Sequence, residues 1–401
     1  MSHTRYTYRP LSDPPRTVIA NVRCLHCVTR LRNPRSILIL APQLYGDAGG
    51  IQAYMRRLLE IFSAYIQGHN YDLDCLSLAD AEWMEGRHSH PVVFRTFIGC
   101  QGSKWQFVLN ALRLAWNCRF SLAVVGHIGL APVALGLRRL GLIKSYILVI
   151  YGIEAWKKAG WLDRKAAQAA TCVVAITQFT AREFCKHNGV PPDRLRIIPP
   201  TLAEEKIELP GGTRGVSTDL TLLTVGRLSV GDIDKGMDIL IKAVKRALDE
   251  GVKVHLALVG DGDDLSRLND LASNLQLDGC VNFLGAVPDG RLQELYRECD
   301  VFAMPSKKEG FGIVFLEAMR YGKPCIAGNH GGTPEIIDHG VNGYLVDYGD
   351  VDGLAGYLLE FSKNSQLRQT MGMKGYQKVK SNYLFPHMAD KWFSLLDSFF
   401  T

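Results

Sequence analysis

Residues 301–328, VFAMPSKKEGFGIVFLEAMRYGKPCIAG, contain the pattern from which the fold can be inferred. The short apolar run VFAMP is typical of a buried strand, and the glycine-bearing stretch after it is typical of a loop. Helix-forming residues follow (IVFLEAM), and the next apolar run, PCIAG, predicts another strand. A strand, a helix and a second strand in this order indicate a parallel sheet covered by helices.

Two glutamates stand out in this stretch, Glu309 in the loop and Glu317 in the otherwise apolar helix. Carboxylates are almost never buried without a partner. Glu317 could pair with Arg320 on the same helix, and Glu309 could be an exposed loop residue. Alternatively, each accepts hydrogen bonds from a polyol such as a sugar or a ribose, whose hydroxyls satisfy a desolvated carboxylate.

Strand-like and helical runs alternate along the whole chain. The strand-like runs are SILILAP, LDCLSL, VVFRTF, SLAVVGH, YILVIYG, CVVAIT and RLRIIPP in the first half, and TLLTVGRL, VHLALVG, VNFLGAV, DVFAMP, PCIAG and GYLVD in the second. Near-continuous apolar strands fit parallel sheets that are buried on both faces. We therefore expect an α/β protein with two doubly wound, Rossmann-like domains and a ligand cleft at the carboxyl ends of their strands.

The domain boundaries follow from changes in composition. Residues 1–33 form a basic extension, and residues 34–200 form the first domain. Residues 201–218 are polar and rich in Gly and Pro, as a linker would be. The second domain covers residues 219–384, and an amphipathic helix at 385–401 could cross back to the first domain.

The composition excludes several classes of protein. With 47% hydrophobic and 21% charged residues, the 401-residue chain is globular and not disordered. No apolar run is long enough to span a bilayer, and the N-terminus lacks a secretory signal pattern, so we expect a cytoplasmic protein. The ten cysteines are scattered, as reduced thiols would be. Cys24 and Cys27 have metal or redox spacing but no second pair, which makes that role a minor alternative.

Charge is unevenly distributed between the halves. Residues 1–200 hold 25 Lys and Arg against 12 Asp and Glu, whereas the remainder holds 21 against 28. Residues 103–120, SKWQFVLNALRLAWNCRF, combine Trp, Phe and Leu with Lys and Arg at helical spacing, which fits either an interfacial helix or an ordinary core-facing one. We expect peripheral attachment to an anionic membrane surface, and no nucleic-acid partner.

Two glycine loops follow predicted strands. Residues 41–51 contain Gly49 and Gly50, and residues 329–335 contain Gly331, Gly332 and Thr333. Glycine lets the backbone approach a phosphate, and a following helix presents free N–H groups and the positive end of its dipole. The alternatives are a common Gly-Gly turn for the first loop and a well-capped helix for the second.

Two cations, Arg227 and Lys235, lie in the stretch GRLSVGDIDKG: Arg227 ends the predicted strand TLLTVGRL, and Lys235 starts the predicted helix that follows. Both could converge on a diphosphate, with Arg gripping two oxygens and Lys acting as a point charge. The alternative is solvated surface charge. Asp261 and Asp263 could hold a metal, but a strand-to-helix turn explains them better.

The chain also resembles a known family. Its motifs, in order, are Gly226-Arg227, Lys235-Gly236, Val259-Gly260-Asp261-Gly262, Phe283-Leu284-Gly285, Pro305-Ser306, Glu309-Gly310-Phe311-Gly312, Glu317-Ala318-Met319, Gly322-Lys323-Pro324 and Gly331-Gly332-Thr333-Pro334-Glu335. Residues 221–347 resemble the nucleotide-sugar half of glycosyltransferase family 4, whose members are retaining enzymes of the GT-B fold. The first half matches more loosely, through Gly49-Gly50, Gly152-Ile153-Glu154, Ile176-Thr177 and Ile198-Pro199.

The resemblance implies roles for the site residues. Arg227 and Lys235 would bind the donor diphosphate, Glu309 the hydroxyls of the transferred sugar and Glu317 the ribose. The loop 284–288 would hold the base. The other donor-binding residues implied are Gly49, Gly50, Gly226, Gly285, Gly310, Phe311, Gly312, Gly331, Gly332 and Thr333.

The acceptor side departs from the family pattern. Glu154 would lie there, but Tyr151 stands where the family usually has a histidine near the reacting sugar. His127 is a possible substitute for that histidine, so both residues are catalytic candidates.

The resulting expectation is a retaining sugar transferase at the inner face of the plasma membrane. It would use a UDP- or GDP-sugar and a polyprenyl-linked saccharide acceptor in surface polysaccharide biosynthesis. No metal or other cofactor is expected, because Arg227 and Lys235 would neutralise the leaving diphosphate. The alternatives are a phosphorylase- or epimerase-like enzyme of the same fold, or an inactive sugar-nucleotide-binding subunit, which only Tyr151 favours.

Overall fold

The computed structural model describes residues 35–46, 49–84, 88–204, 206–207 and 219–400. The predicted extension, with Cys24 and Cys27, lies outside these residues, as does most of the predicted linker. The chain divides into two compact units. Unit 1 runs to Ala203 and includes the segment from Phe385 onward, and unit 2 is Glu204–Leu384.

Unit 1 is built on a parallel sheet. Its strands are β1 (Ser36–Ala41), β2 (Asp72–Ser77), β3 (Thr96–Gly99), β4 (Phe120–Val125), β5 (Ile143–Ile150), β6 (Cys172–Ala175) and β7 (Leu195–Ile197). They lie in the order β3-β2-β1-β4-β5-β6-β7, and every neighbouring pair is parallel. The helices that follow in sequence are α1 (Gly50–His69), α2 (Lys104–Cys118), α3 (Ala131–Arg139), α4 (Trp161–Ala169) and α5 (Gln178–Asn188).

Unit 2 repeats the plan. Its strands are β8 (Leu220–Val225), β9 (Val254–Val259), β10 (Val281–Phe283), β11 (Val301–Met304), β12 (Cys325–Gly328) and β13 (Gly343–Val346). All neighbours are again parallel, in the order β10-β9-β8-β11-β12-β13. The helices are α6 (Met237–Asp249), α7 (Leu265–Asn274), α8 (Asp289–Glu298), α9 (Ile313–Met319), α10 (Val351–Lys363) and α11 (Ser365–Asn382).

Residues 301–328 form the expected strand–helix–strand unit. β11, α9 and β12 follow one another, and Phe302 of β11 lies in register with Cys325 of β12. The two parallel sheets confirm the predicted α/β class with two Rossmann-like units. The inner strands of each sheet are largely buried, as expected where helices cover both faces, whereas the edge strands β3, β7 and β10 are partly exposed.

The last helix, α12 (Phe385–Phe400), packs on α1 in unit 1. Trp392 is fully buried against Phe62, with their ring centroids 5.3 Å apart. The Tyr65 hydroxyl donates a hydrogen bond of 2.8 Å to Asp397 Oδ1. The amphipathic pattern of residues 385–401 thus corresponds to a helix whose apolar side is buried.

Two regions differ from the sequence prediction. The run VVFRTF was expected to form a strand, but β3 begins only at Thr96. Arg95, just before it, forms an ion pair with the fully buried Asp74 of β2. Thr201 and Leu202 open the predicted polar linker, yet both are buried in unit 1. The described residues contain no helix that is long and apolar enough to cross a membrane.

Candidate active site

The candidate donor site lies at the carboxyl edge of the unit 2 sheet. The chain leaves β8 toward β9 on one side, whereas β11 lies on the other side of β8. The crevice at such a reversal of strand order is where open parallel sheets bind ligands. The loops after β8 and β11 carry the predicted site residues, so the topology brings them to this edge.

Lys235 and Glu309 are predicted site residues whose charged side chains the structure brings together. Lys235 Nζ lies 3.8 Å from Glu309 Oε2, and both side chains are about one-fifth exposed. The backbone of Glu309 is anchored as well, because its carbonyl accepts a hydrogen bond of 2.8 Å from the N–H of Gly332. Three loops, from β8, β11 and β12, therefore meet at one place.

The position of Lys235 differs from the prediction in one detail. It was expected to start a helix, but it is the last residue of a 3-10 helix, Val230–Lys235. Gly236 follows with φ +74° and serves as the N-cap of α6. A Cβ at Gly236 would lie 2.5 Å from the Pro305 carbonyl oxygen. Glycine is therefore needed here both for the left-handed backbone and for the close approach of the β11 loop.

Arg227 is more exposed than Lys235. Its side chain is 67% exposed, and Nε lies 3.1 Å from Asp232 Oδ2. An exposed ion pair of this kind contributes little, about 0–1 kcal/mol, so the guanidinium can exchange Asp232 for a ligand anion at small cost.

Glycines let the neighbouring loops touch backbone to backbone. The N–H of Gly260 donates to the Gly285 carbonyl at 2.9 Å, and a Cβ on Gly260 would lie 1.8 Å from the Gly226 carbonyl oxygen. A Cβ on Gly226 would lie 3.2 Å from Lys235 Cδ, so the lysine stem passes over this glycine. The glycines therefore let the backbone of these loops come close to the lysine.

The two aspartates of the Asp-x-Asp sequence hold turns. Asp261 Oδ1 accepts a hydrogen bond from the N–H of Gly262 at 2.8 Å, and Asp263 Oδ1 accepts one from the N–H of Val230 at 2.9 Å. Among the described residues, no group of three or more His, Cys, Asp or Glu side chains is arranged to hold a metal ion.

Glu317 lies on α9 and its partner is a tyrosine of α8. The Tyr296 hydroxyl donates a hydrogen bond of 2.8 Å to Glu317 Oε2. Burial raises the pKa of Glu317, and the hydrogen bond from Tyr296 offsets part of that rise. Arg320, the alternative partner predicted from the sequence, instead binds Glu204 at 2.5 Å.

Glycines also shape the loop between β11 and α9 that carries Glu309. Gly312 has φ +96° at the N-cap of α9, and a Cβ there would lie 2.5 Å from the Phe315 ring. Phe311 is buried and meets Tyr383 edge-on at 5.8 Å, which leaves Gly310 as the link between Phe311 and Glu309.

The loop after β12 is tighter than expected. Gly331 has φ +68°, and only a three-residue 3-10 helix, Thr333–Glu335, follows where a longer helix was an alternative. Thr333 is fully buried, and its hydroxyl donates to the carbonyls of Gly328 and His330. That hydroxyl therefore shapes the turn.

The candidates in unit 1 follow β4 and β5. His127 Nδ1 accepts a hydrogen bond of 3.1 Å from the N–H of Gly129. Glu154 Oε1 accepts hydrogen bonds from the N–H groups of Tyr151 (2.9 Å) and Gly152 (3.0 Å). Both side chains thus stabilise the turns on which they lie.

Tyr151 is buried. Its hydroxyl lies 3.0 Å from the Met55 sulfur, and its ring meets Tyr54 edge-on at 5.4 Å. Burial raises the pKa of Tyr151 well above the ordinary value. The side chain is therefore part of the packing beneath the turn.

Gly49 is the N-cap of α1, and Gly50 is the first residue of that helix. The preceding loop is fixed by Asp80, a buried residue that the sequence did not reveal. Asp80 accepts hydrogen bonds from the N–H groups of Leu44 (2.7 Å) and Tyr45 (3.0 Å). No local signal marks either Asp80 or Tyr296, because each acts on a residue more than 20 positions away.

Two family models match the chain, one for each unit. Residues 48–205 match the model for Glycosyltransferase Family 4, and residues 210–378 match that for Glycosyl transferases group 1. The two parallel sheets, with glycine-lined loops at their carboxyl edges, have the architecture of the GT-B fold. The chain belongs to glycosyltransferase family 4, as its motifs indicated.

Curated relatives share parts of the chain. The N-acetyl-alpha-D-glucosaminyl L-malate synthase of Bacillus anthracis is 36% identical over 144 residues, which are 36% of this chain and 37% of the relative. A GDP-mannose-dependent alpha-(1-6)-phosphatidylinositol monomannoside mannosyltransferase of Mycobacterium tuberculosis is 34% identical over 213 residues, 51% of this chain and 52% of the relative. The chain spans about half or less of the length of these two relatives.

Among solved structures, HepE of Anabaena in complex with UDP superposes with a TM-score of 0.72 at 21% identity, covering 91% of this chain and all of that one. This likeness shows the shared fold.

Proposed function

We propose that this glycosyltransferase moves a sugar from a UDP- or GDP-sugar to a saccharide acceptor, with retention of the anomeric configuration. The acceptor is polyprenyl-linked and belongs to surface polysaccharide biosynthesis, so the enzyme works at the inner face of the plasma membrane. The reaction uses no metal ion.

The contact between Lys235 and Glu309 carries this proposal. In a sugar nucleotide the anomeric carbon is bonded to an oxygen of the β-phosphate. A cation for that phosphate and an acceptor for the sugar hydroxyls must therefore lie side by side. Lys235 Nζ and Glu309 Oε2, 3.8 Å apart at the reversal point of the sheet, meet this requirement.

The chemical roles follow from the charges. As the bond to the anomeric carbon breaks, negative charge develops on the diphosphate, and Lys235 stabilises it together with Arg227 and backbone N–H groups of the glycine loops. Glu309 accepts hydrogen bonds from the sugar hydroxyls and positions the ring. Glu317 accepts hydrogen bonds from the ribose.

Retention fits this set of residues. Among the described candidate residues, Glu309 and Glu317 are assigned to hydroxyls and Glu154 accepts hydrogen bonds from its own turn, so none is assigned as a nucleophile and the acceptor attacks from the face that the diphosphate leaves. His127 and Glu154 are the proposed contacts on the acceptor side.

Two similar proteins support the choice of ligands. The Anabaena structure contains UDP, and the Mycobacterium tuberculosis relative is named for GDP-mannose and for a phosphatidylinositol acceptor. These ligands are those of the two proteins themselves, and together they make UDP- and GDP-sugars and a lipid-linked acceptor the first choices here.

The test has two stages. Thermal-shift screening against UDP-, GDP- and ADP-sugars should find one base that stabilises the chain by mass action. Release of nucleoside diphosphate should then depend on an acceptor, and NMR of the product should show the anomeric configuration of the donor.

Different outcomes separate the alternatives. Binding without any release would favour an inactive subunit, and a sugar nucleotide isomerised without an acceptor would favour an epimerase. Sugar phosphate formed with inorganic phosphate would favour a phosphorylase. An inverted product would contradict retention.

A further inference from the structure

Helix α2 (Lys104–Cys118) has two apolar sides. One side packs into the core of unit 1 through Phe107, Ala111, Leu114 and Ala115. Burial of these side chains holds the helix against the sheet. A helix of this kind normally turns charged or polar residues to the solvent on its other side.

The other side of α2 is also apolar, and it is exposed. Trp105 is 81% exposed, Leu109 61% and Trp116 70%. At about 100° per residue these three positions fall within an arc of about 40° on the helix surface. A contiguous stripe of large apolar side chains in water marks an interaction site.

The helices of the same layer also carry exposed large apolar residues. α2 packs on α3 and α3 packs on α4, and all three bury their inner sides in the same core. Leu140, at the end of α3, and Trp161 and Leu162, at the start of α4, are exposed. The three exposed tryptophans of the described residues, Trp105, Trp116 and Trp161, therefore all belong to this helical layer.

The same segment carries the positive charge of the protein. Residues 104–165 contain 10 Lys and Arg but only 2 Asp and Glu, a surplus of 8 that exceeds the net +6 of the whole chain. Lys104, Arg113, Arg139, Lys157 and Lys158 are exposed. Apolar and cationic side chains are thus combined on one side of unit 1.

We propose that this surface, the α2–α4 face (Trp105, Leu109, Trp116, Leu140, Trp161 and Leu162 with the basic residues around them), docks on an anionic lipid bilayer. Tryptophan rings sit at the boundary between headgroups and acyl chains, and long basic side chains reach the lipid phosphates. The charge surplus complements an anionic leaflet and repels a second copy of the same face.

Docking does not depend on the sugar-nucleotide chemistry of unit 2. It gives a physical reason for a lipid-linked acceptor, since it holds the enzyme at the surface where such an acceptor resides. Its failure would leave the proposed donor site untouched, because the test below uses no sugar.

The experiment is sedimentation of the full chain with vesicles. Vesicles of phosphatidylglycerol and phosphatidylcholine in equal parts should bind the protein at low salt and release much of it at high salt. Vesicles of phosphatidylcholine alone should bind far less. A second copy as the occupant is tested in parallel by sedimentation velocity without lipid.

Matched variants locate the surface. Trp105→Ser with Trp116→Ser should lower vesicle affinity by roughly tenfold or more, because two large apolar groups no longer leave water. Arg113→Gln with Arg139→Gln should lower it by about fivefold per charge. The controls are Val341→Ser and Lys253→Gln with Lys374→Gln, exposed residues of unit 2 whose replacement should leave vesicle binding unchanged.

The inference is overturned by any of three results. The first is that the wild type binds neutral and anionic vesicles equally or binds neither. The second is that the double Trp variant binds vesicles as the wild type does. The third is that the wild type binds no vesicles but forms a dimer, which the double Trp variant converts to a monomer. Circular dichroism and nucleotide-induced thermal shifts of the variants, both expected to match the wild type, exclude misfolding as the cause of lost binding.

Discussion

The Tyr296 hydroxyl donates a hydrogen bond of 2.8 Å to Glu317 Oε2, joining α8 to α9. The bond keeps a carboxylate oriented in an environment that raises its pKa. If Glu317 binds the ribose, Tyr296 is a positioning residue: its hydrogen bond holds the Glu317 carboxylate in the orientation that binds the ligand.

Tyr296→Phe should weaken nucleoside diphosphate binding by less than the about 1.5–3 kcal/mol that a hydrogen bond to a charged group contributes, because the lost bond acts on the ligand only through Glu317. Isothermal titration calorimetry measures this. The matched control is Tyr321→Phe, since the Tyr321 hydroxyl is buried and has no hydrogen-bond partner among the described residues. Equal affinity losses in the two variants would indicate a general packing effect and not positioning.

Glu317→Gln should make the unliganded chain at least as stable as the wild type at pH 7. Burial raises the folded-state pKa of Glu317 above its ordinary 4.5, so the folded chain binds more protons than the unfolded chain in that window. Stability therefore falls as the pH rises above about 4.5, and the neutral glutamine avoids this loss.

The thermal unfolding midpoints of the wild type and Glu317→Gln should consequently converge as the pH is lowered toward 4.5. A glutamine variant that is less stable than the wild type by the same amount at every pH would contradict the argument.

Lys235→Ala should lower both nucleoside diphosphate affinity and turnover while leaving the fold intact. Each charged hydrogen bond lost costs about 1.5–3 kcal/mol. Lys242→Ala, which removes an equal charge from the exposed side of α6, is the control and should bind normally. Wild-type affinity and rate in Lys235→Ala would exclude the diphosphate role.

Chelators provide a separate check on the same site. EDTA should leave activity nearly unchanged if Arg227 and Lys235 neutralise the diphosphate without a metal ion. Complete loss of activity would indicate a metal ion bound by Asp261 and Asp263.

The two glutamates should respond differently to amide substitution. Glu309→Gln should impair transfer from the intact donor far more than binding of free nucleoside diphosphate, because Glu309 is assigned to the sugar. Glu317→Gln should weaken both. Titration of each variant with nucleoside diphosphate and with the intact donor gives the comparison, and identical losses on the free nucleotide would show that the two roles are wrongly divided.

Gly260→Ala should destabilise unit 2 markedly, because the new methyl group would lie 1.8 Å from the Gly226 carbonyl oxygen. Gly279→Ala is the matched control. Gly279 also has a positive φ (82°), but nothing lies within 4 Å of its Cβ position, so only the backbone strain of about 1–3 kcal/mol is added. Thermal unfolding should show a clearly larger loss for Gly260→Ala, and equal losses would mean that the loops can separate.

The alternation of apolar strand-like runs with helical runs was enough to predict both sheets, because strands buried on two faces must be apolar nearly throughout. The motif glycines were likewise predictable as a group. The reason why glycine is required differs from one position to another, however. At Gly236 and Gly260 another stretch of backbone comes close, which no local pattern reveals.

The candidate site was predictable where one short segment contains the chemistry. Glu309 and Glu317 were recognised as unusual from their own neighbours in sequence. Their partners were not predictable, since Tyr296 and Glu204 come from distant parts of the chain. They form the hydrogen bonds of Glu317 and Arg320, whereas the helical pair that the sequence suggested acts only through charge, which offsets part of the rise that burial causes in the pKa of Glu317. Tyr151 was a catalytic candidate by position alone, and its burial against Met55 appears only in the fold.

The sequence by itself determined the α/β class, the two units, the family and the residue types available for binding a diphosphate and hydroxyls, because periodicity and composition are properties of consecutive residues. The tertiary structure decided which of those residues meet. Sheet order placed Lys235 beside Glu309, and helix packing left the tryptophans of α2 exposed after Phe107 and Leu114 had filled the core. Contacts of this kind depend on strands and helices far apart in the chain, and burial is settled only when all of them are in place.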